Sequence, residues 1–136
     1  IQIVLLLVRH NFEHTPRFTG VSFSSRREYM EKFTKVCQYI DTSFRENLTL
    51  EQAAEIAGFS KYHFSRLFKE FTGITFQEYL TRQRIRHAEE LLTDSKISIT
   101  DIALASGFSS VSNFNRSFQM YNHCSPSQFR KKLMHV

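Results

Sequence analysis

Residues 50–58 read LEQAAEIAG and residues 99–107 read ITDIALASG, and the similarity of these two stretches is the strongest structural signal in the sequence. Each is followed by Phe-Ser and then by the pattern F-x-R-x-F, at residues 64–68 and 114–118. The unit therefore recurs with a period of about fifty residues, which is typical of a duplicated supersecondary structure. The glycine precedes the pattern by six residues in the first copy and by seven in the second. We therefore predict the same helical unit twice, with one extra residue in the second turn.

Each copy has the residue pattern of a helix-turn-helix. A short first helix carries a small residue, Ala54 or Ala103, where a second helix must pass close. Four residues later Gly58 or Gly107 permits a sharp turn, because glycine tolerates positive φ. In the second helix of each copy, apolar residues recur at helical spacing, so one face is predicted to be buried. That face comprises Phe64, Leu67, Phe68 and Phe71 in the first copy and Phe114, Phe118 and Tyr121 in the second.

The opposite faces of these second helices carry polar side chains at matching positions. Both faces combine hydrogen-bonding side chains with an arginine, Arg66 or Arg116. Arginine can pair bidentately with guanine and asparagine with adenine, so this composition suits the reading of base edges. A merely solvated face would be richer in Glu and Lys. The two faces comprise Tyr62, Ser65, Arg66 and Lys69, and Ser112, Asn115, Arg116 and Gln119.

The composition of the whole chain favours an all-α fold. Of 136 residues, 41% are hydrophobic, and only four Gly and two Pro are available for turns. A many-stranded sheet would need more turn residues, so we predict about seven helices, in two homeodomain-like three-helix units joined by a long linker helix. The predicted segments are a flanking stub with a linker at residues 1–25, a first unit at 26–74, the linker helix at 75–94 and a second unit at 95–136.

Capping signals predict where the helices begin. Ser25 with Glu28 forms a capping box that predicts the start of the first helix, and Thr75 starts the linker helix. The second unit is predicted to start at Ser98 and the last helix at Ser125. A linker helix of about nineteen residues, at 1.5 Å each, is a strut of about 28 Å. Successive major grooves on one face of B-DNA are about 34 Å apart, so we predict bent DNA or one imperfectly seated recognition helix.

Charge and cysteine content point away from several other classes of protein. A formal net charge of +5 is compatible with a polyanionic partner. Cys37 and Cys124 show no metal-ligand spacing, so we expect no metal, no cofactor and no disulfide framework, in a reducing cytoplasm. The apolar run at residues 3–8 is too short to span a membrane. Because the sequence contains no nucleophile elbow or phosphate loop, we expect no enzyme and no catalytic residue.

Taken in order, these motifs resemble the AraC/XylS family of bacterial transcription regulators. The resemblance rests on the two helix-turn-helix units, the linking helix, GFS followed by F-x-R-x-F, and Ser-Pro before Phe129, and it covers residues 27–135. It implies a cytoplasmic regulator that binds double-stranded DNA, is nucleoid-associated when bound, and has RNA polymerase as a partner. Activation is the mode that the resemblance favours. Residues 1–10 would then be the last helix of an upstream sensing domain, through which a homodimer would form.

The resemblance also implies which residues contact DNA. Two recognition helices would enter adjacent major grooves, with base contacts from Tyr62, Ser65, Arg66, Val111, Ser112, Asn115 and Arg116. Val111 departs from the polar residue often met at its position, so it either touches a thymine methyl or reads nothing. We expect phosphate contacts from Lys61, His63, Lys69, Arg82, Arg84, Ser110 and Gln119.

Two alternatives stay open on the sequence alone. The arginines of the outward faces could instead form surface ion pairs with Glu70, Glu55 or Asp101, since such pairs are common although weak. The chain could also be a ligand-sensing or dimerisation fragment whose DNA binding depends on a missing domain.

Overall fold

Helices make up the part of the chain that the structure describes. The computed structural model describes the backbone of residues 23–134 and the side chains of residues 27–134. Residues 23–134 form seven helices and no strand, which confirms the predicted all-α class. The helices are α1 (Phe23–Ser43), α2 (Leu50–Ala57), α3 (Lys61–Thr72), α4 (Phe76–Leu92), α5 (Ile99–Ala105), α6 (Val111–Asn122) and α7 (Pro126–Met134). Residues 1–22 of the predicted stub, which spans residues 1–25, lie outside the described residues.

The helices divide into two units. Among the described residues, the first unit contains Phe23–Ser43 and Leu48–Tyr79, and the second contains Phe44–Asn47 and residues 80–134. The helix α4 contributes Phe76–Tyr79 to the first unit and its remaining residues, from Leu80 on, to the second unit. It has 17 residues rather than the nineteen expected. The sequence pattern also gave no sign that Phe44–Asn47, which follows α1, would join the second unit.

The core of the first unit is a cluster of phenylalanine rings. Phe33 of α1 is fully buried, and its ring centroid lies 4.7 Å from that of Phe71 and 6.1 Å from that of Phe64. Phe68 contacts Phe76 at the start of α4, with 6.0 Å between the ring centroids. Such aromatic pairs contribute about 0.5–1.5 kcal/mol each beyond the burial of their area. The inner face predicted for α3 is therefore confirmed as core.

The core of the second unit is built mainly from aliphatic residues of α4 and α5 and aromatic residues of α6. Phe114 and Phe118 of α6 are fully buried, and the ring of Phe129 from α7 lies 5.3 Å from that of Phe118. Ala103 is fully buried where α5 meets α6, as the need for a small residue predicts. The buried cluster comprises Ile85, Ala88, Leu92, Ile102, Ala103, Phe108, Phe114 and Phe118.

Three of the four predicted helix starts are confirmed by their caps. The side-chain oxygens of Thr75, Ser98 and Ser125 each accept a hydrogen bond from the backbone N–H three residues later. The side-chain oxygen of Gln128 also accepts a hydrogen bond from the N–H of Ser125, which completes that capping box. The prediction at Ser25 is wrong, because α1 spans Phe23–Ser43 and Ser25 therefore lies inside the helix.

Both cysteines are free and buried, in accord with a packing role. Burial raises the pKa of the Cys37 thiol to about 12, and the negative charge of Asp41 adds to this effect. None of the helices in the described part of the chain combines the length and the hydrophobicity that a membrane span requires.

Candidate nucleic-acid interface

A three-residue turn joins α2 to α3 in the first unit. Gly58 has a φ of +76°, in the left-handed region, and its N–H donates to the Glu55 carbonyl at 3.0 Å. Two residues later, the hydroxyl of Ser60 accepts from the N–H of His63 at 3.2 Å and caps α3. The turn and the cap together fix where α3 begins, at Lys61.

Five residues, 106–110, join α5 to α6 in the second unit, and the stretch from the glycine to the next helix is one residue longer than in the first unit, as the spacing predicts. Gly107 has a φ of +96°, and α6 begins at Val111 behind the cap residue Ser110. The Ser110 hydroxyl accepts from the N–H of Asn113 at 3.1 Å. The Asn113 side-chain amide also donates to the hydroxyl of Ser109 at 2.9 Å, so the extra residue is tied into the cap.

The face of α3 opposite its buried stripe lies on the surface. Tyr62 is 83% exposed, and Ser65, Arg66 and Lys69 are exposed as well. These side chains are three or four positions apart, so they share one side of the helix. The predicted outward face of α3 therefore has the accessibility that a groove-reading helix needs.

The matching face of α6 is also on the surface, apart from its first residue. Ser112, Asn115, Arg116 and Gln119 are exposed. Val111 is half-buried and packs against the core of the second unit. Much of the Val111 side chain is therefore already engaged in the protein, which leaves the four polar residues as the stronger candidates for contacts with DNA.

Met120 adds an apolar side chain to α6 that the sequence analysis missed. It is 69% exposed and follows Arg116 by four positions, so the two residues share one side of α6. Helical spacing places Met120 on this face, but an apolar side chain does not stand out in a pattern of hydrogen-bonding residues. Methionine can offer apolar contact, for which the thymine methyl is the partner that duplex DNA provides.

The ion pairs between described side chains do not involve the two outward arginines. These pairs join Arg27 to Glu31, Lys32 to Glu28, and Lys61 to Glu51. Arg66 and Arg116 belong to none of them, so the alternative of surface ion pairing gains no support from these three contacts.

Lys61, a predicted phosphate contact, lies at the N-terminus of α3 and is paired within the protein. Its Nζ lies 2.8 Å from Oε1 of Glu51 on α2. The hydrogen bond between them lowers the pKa of Glu51 and raises the pKa of Lys61. Both side chains are about half exposed, so the pair is weak and a phosphate could replace the carboxylate.

Other predicted phosphate contacts differ in how free their polar atoms are. His63 is half-buried, and its ring lies edge-on to Phe59 with 5.0 Å between centroids. Arg82 is exposed, with its guanidinium carbon 5.9 Å from the ring centroid of Tyr121. The hydroxyl of Ser110 already accepts the capping bond of α6, although it can still donate. Lys69 and Gln119 are exposed, as described above.

The guanidinium of Arg84 is hydrogen-bonded to the protein backbone and is only partly exposed. Its Nε donates to the Phe44 carbonyl at 2.8 Å and its Nη2 to the Glu46 carbonyl at 3.0 Å. Burial lowers the pKa of this guanidinium, in line with a half-buried side chain. These bonds span about forty residues of sequence, so no local pattern could have revealed them. Because Nε and Nη2 are already engaged in these bonds, the phosphate contacts proposed below do not include Arg84.

Comparisons with known proteins agree with this geometry. Residues 53–132 match the family model of a helix-turn-helix domain. The chain is 38% identical over 131 residues to SAS0078, an HTH-type transcriptional regulator of Staphylococcus aureus, with 95% of this chain covered. It spans 17% of the length of that relative.

Two solved structures have a similar fold. An AraC-type transcriptional regulator from Chromobacterium violaceum superimposes with a TM-score of 0.70 and 28% identity, covering 76% of this chain and 92% of that one. The DNA-binding domain of the global transcriptional factor AdpA, solved with a target DNA, gives a TM-score of 0.70 and 27% identity, covering 74% and 91%. With the family match, the paired helix-turn-helix units and their exposed faces, the chain belongs to the AraC-type family of DNA-binding transcription regulators.

Proposed function

We propose that α3 and α6 are two recognition helices that read bases in adjacent major grooves of duplex DNA. The observation that carries this proposal is the matched pair of exposed polar faces, each on a helix whose opposite side packs into a core. A packed helix presents its outer side chains in fixed positions, which base-edge readout requires. We assign the base contacts to Tyr62, Ser65, Arg66, Ser112, Asn115 and Arg116, with Val111 and Met120 as candidates for a thymine methyl.

Each face can supply more than one kind of base contact. Arg66 and Arg116 can each donate two parallel hydrogen bonds to a guanine, and Asn115 can donate to and accept from an adenine. Each such bidentate contact discriminates against a wrong base by about 1–3 kcal/mol. The AdpA domain, which was solved with its target DNA, supports this use of the fold.

The phosphate backbone is the second partner surface in the proposal. Lys61, Lys69 and Arg82 supply positive charge, and His63, Ser110 and Gln119 supply hydrogen bonds. Phosphate contacts set the register and the orientation of a protein on the duplex without reading sequence. For Lys61, binding would exchange the Glu51 carboxylate for a phosphate oxygen.

The wider regulatory role goes beyond DNA binding. We propose a transcription activator of the bacterial cytoplasm that recruits RNA polymerase through faces turned away from DNA. The chain spans 17% of the Staphylococcus aureus relative, so a homodimer formed through a further domain belongs to the same proposal. The alternative is that DNA binding depends on such a domain, in which case this chain alone would not select a sequence.

A salt titration with a sequence selected from random DNA tests the proposal. Three phosphate-bound cations predict that log K falls against log salt concentration with a slope of about −3 or steeper. Fluorescence anisotropy of the labelled site, with unlabelled random DNA as competitor, measures the slope and the specificity together. Failure to select any sequence, or an affinity independent of salt, would overturn the proposal.

A further inference from the structure

Phe44–Asn47 is held in the second unit by one arginine. This segment lies beyond the end of α1 at Ser43, so its backbone carbonyls are not bonded in the pattern of that helix. Arg84 of α4 bonds two of them, the carbonyls of Phe44 and Glu46, through separate guanidinium nitrogens. Hydrogen bonds from a charged donor are about twice as strong as neutral ones, so this is a firm attachment. The Phe44 ring also lies 5.3 Å from the ring of His87, one turn further along α4.

The segment held by Arg84 lies directly against the turn that precedes α6. A Cβ atom on Gly107 would come within 2.9 Å of both the Arg45 Cα and the Phe44 carbonyl oxygen. It would also come within 3.0 Å of Arg84 Nε. These distances leave no room for a side chain at Gly107, so the backbone of the turn and the backbone of the segment are in close contact there. At the corresponding glycine of the first unit no backbone comes as close, because a Cβ on Gly58 would meet nothing within 4 Å.

We infer that Arg84 is a positioning residue for α6: it holds Phe44–Asn47 against Gly107 and thereby fixes the longer turn that aims the second recognition helix at DNA. This inference rests on the proposed function. The connection between α5 and α6 has five residues against three in the first unit, so more backbone must be held in place. The N–H groups of Gly107 and Phe108 donate to carbonyls of α5, and the side chains of Ser109 and Ser110 bond within the cap of α6. The contact with Phe44–Asn47 adds support from outside the helix-turn-helix. Arg84 thus contributes to sequence specificity without touching a base.

The test compares Arg84→Gln with Arg86→Gln in the full 136-residue chain. Both changes remove one positive charge from α4, but Arg86 is exposed. Each protein selects its preferred site from random DNA, and Arg116→Ala identifies the bases that depend on α6. We expect Arg84→Gln to lose preference at those bases, by about 5- to 150-fold if one bidentate contact is lost. The preference at bases that depend on α3 should be unchanged, and Arg86→Gln should select the same site as the parent chain.

The outcomes distinguish a positioning role of Arg84 from a phosphate contact and from no role in DNA recognition. If Arg84 bound phosphate, Arg84→Gln would weaken all sequences alike and reduce the salt slope by about 1. That result, or an unchanged preference at the bases that depend on α6, would overturn the inference while leaving the proposed function intact. If the parent chain itself selected no sequence, the proposed function would fail first.

Amide hydrogen exchange provides a readout independent of DNA. Arg84→Gln should accelerate amide exchange at residues 106–112 and leave exchange at residues 50–72 unchanged. Equal exchange rates at residues 106–112 in Arg84→Gln and Arg86→Gln would contradict the inference. Arg84→Lys provides a check if Arg84→Gln is poorly folded. Its ammonium can donate to one of the two carbonyls, so we expect partial retention of the preference at the bases that depend on α6. Complete retention would overturn the inference.

Discussion

Replacing Gly107 with alanine measures how tightly the second turn is packed, and Gly58→Ala is the matched control. Both glycines have positive φ, +96° and +76°. The left-handed conformation costs an alanine about 1–2 kcal/mol, offset by about 0.4–1 kcal/mol from the reduced entropy of the unfolded chain. Gly58→Ala should therefore cost about 1 kcal/mol, because its Cβ meets open space.

Gly107→Ala carries a further steric cost. Its Cβ would lie 2.9 Å from two backbone atoms, and backbone cannot move aside as a flexible side chain can. Overpacking of this kind costs about 1–3 kcal/mol, so the total should be about 2–4 kcal/mol.

Urea unfolding is the assay for this pair of variants. Circular dichroism at 222 nm should follow it, because the chain has no tryptophan to report by fluorescence. Hydrogen exchange in the native protein should place the loss of protection of Gly107→Ala in the second unit. Equal unfolding free energies for the two variants would refute the close packing of the turn against Phe44–Asn47.

Three further predictions follow from local conformations and charges. His123 has a φ of +58° at the exposed C-cap of α6, a conformation that glycine adopts without strain. His123→Gly should therefore raise the unfolding free energy by about 0.5–1 kcal/mol in a urea titration. A decrease in the unfolding free energy would contradict the assigned strain. Burial, aided by the charge of Arg45, lowers the pKa of His87 below 6.5, so the unfolded chain takes up this proton at higher pH than the folded chain. Stability should therefore fall as the pH drops below 6.5, and His87→Gln should reduce that fall in unfolding curves at pH 7.5 and 5.5; an identical fall would show that another group is responsible. Glu51→Gln removes the ion-pair partner of Lys61 and frees its ammonium group for a phosphate. The variant should bind DNA more tightly at low salt, and the slope of log K against log salt concentration should steepen by up to about 1. Unchanged binding would show that Lys61 does not contact phosphate.

Sequence reasoning predicted the helical fold and its two faces because both depend on local spacing. The apolar stripe of α3 and that of α6 follow the 3.6-residue period, and their buried and exposed sides came out as expected. Helix caps at Thr75, Ser98 and Ser125 were predictable for the same reason, since each bond spans three residues. The failure at Ser25 shows the limit of such signals, because a serine followed by a glutamate can also lie inside a helix.

The features that escaped prediction depend on contacts distant in sequence. Arg84 looked like one of several basic residues on α4, and only its bonds to carbonyls 38 and 40 residues away identify its task. Gly107 was recognised as a turn glycine, but its close approach to Phe44 and Arg45 is a second reason for glycine that one sequence does not reveal. Val111 lies where a base contact was expected, yet the adjacent core takes up part of its side chain.

The most direct test of two reading helices is selection from random DNA with Arg66→Ala and Arg116→Ala in parallel. Each variant should bind the selected site about 1–3 kcal/mol more weakly and relax the preference at one base position, in a different half of the site for each arginine. If both variants selected the same site as the parent chain with the same affinity, α3 and α6 would not be the helices that read DNA.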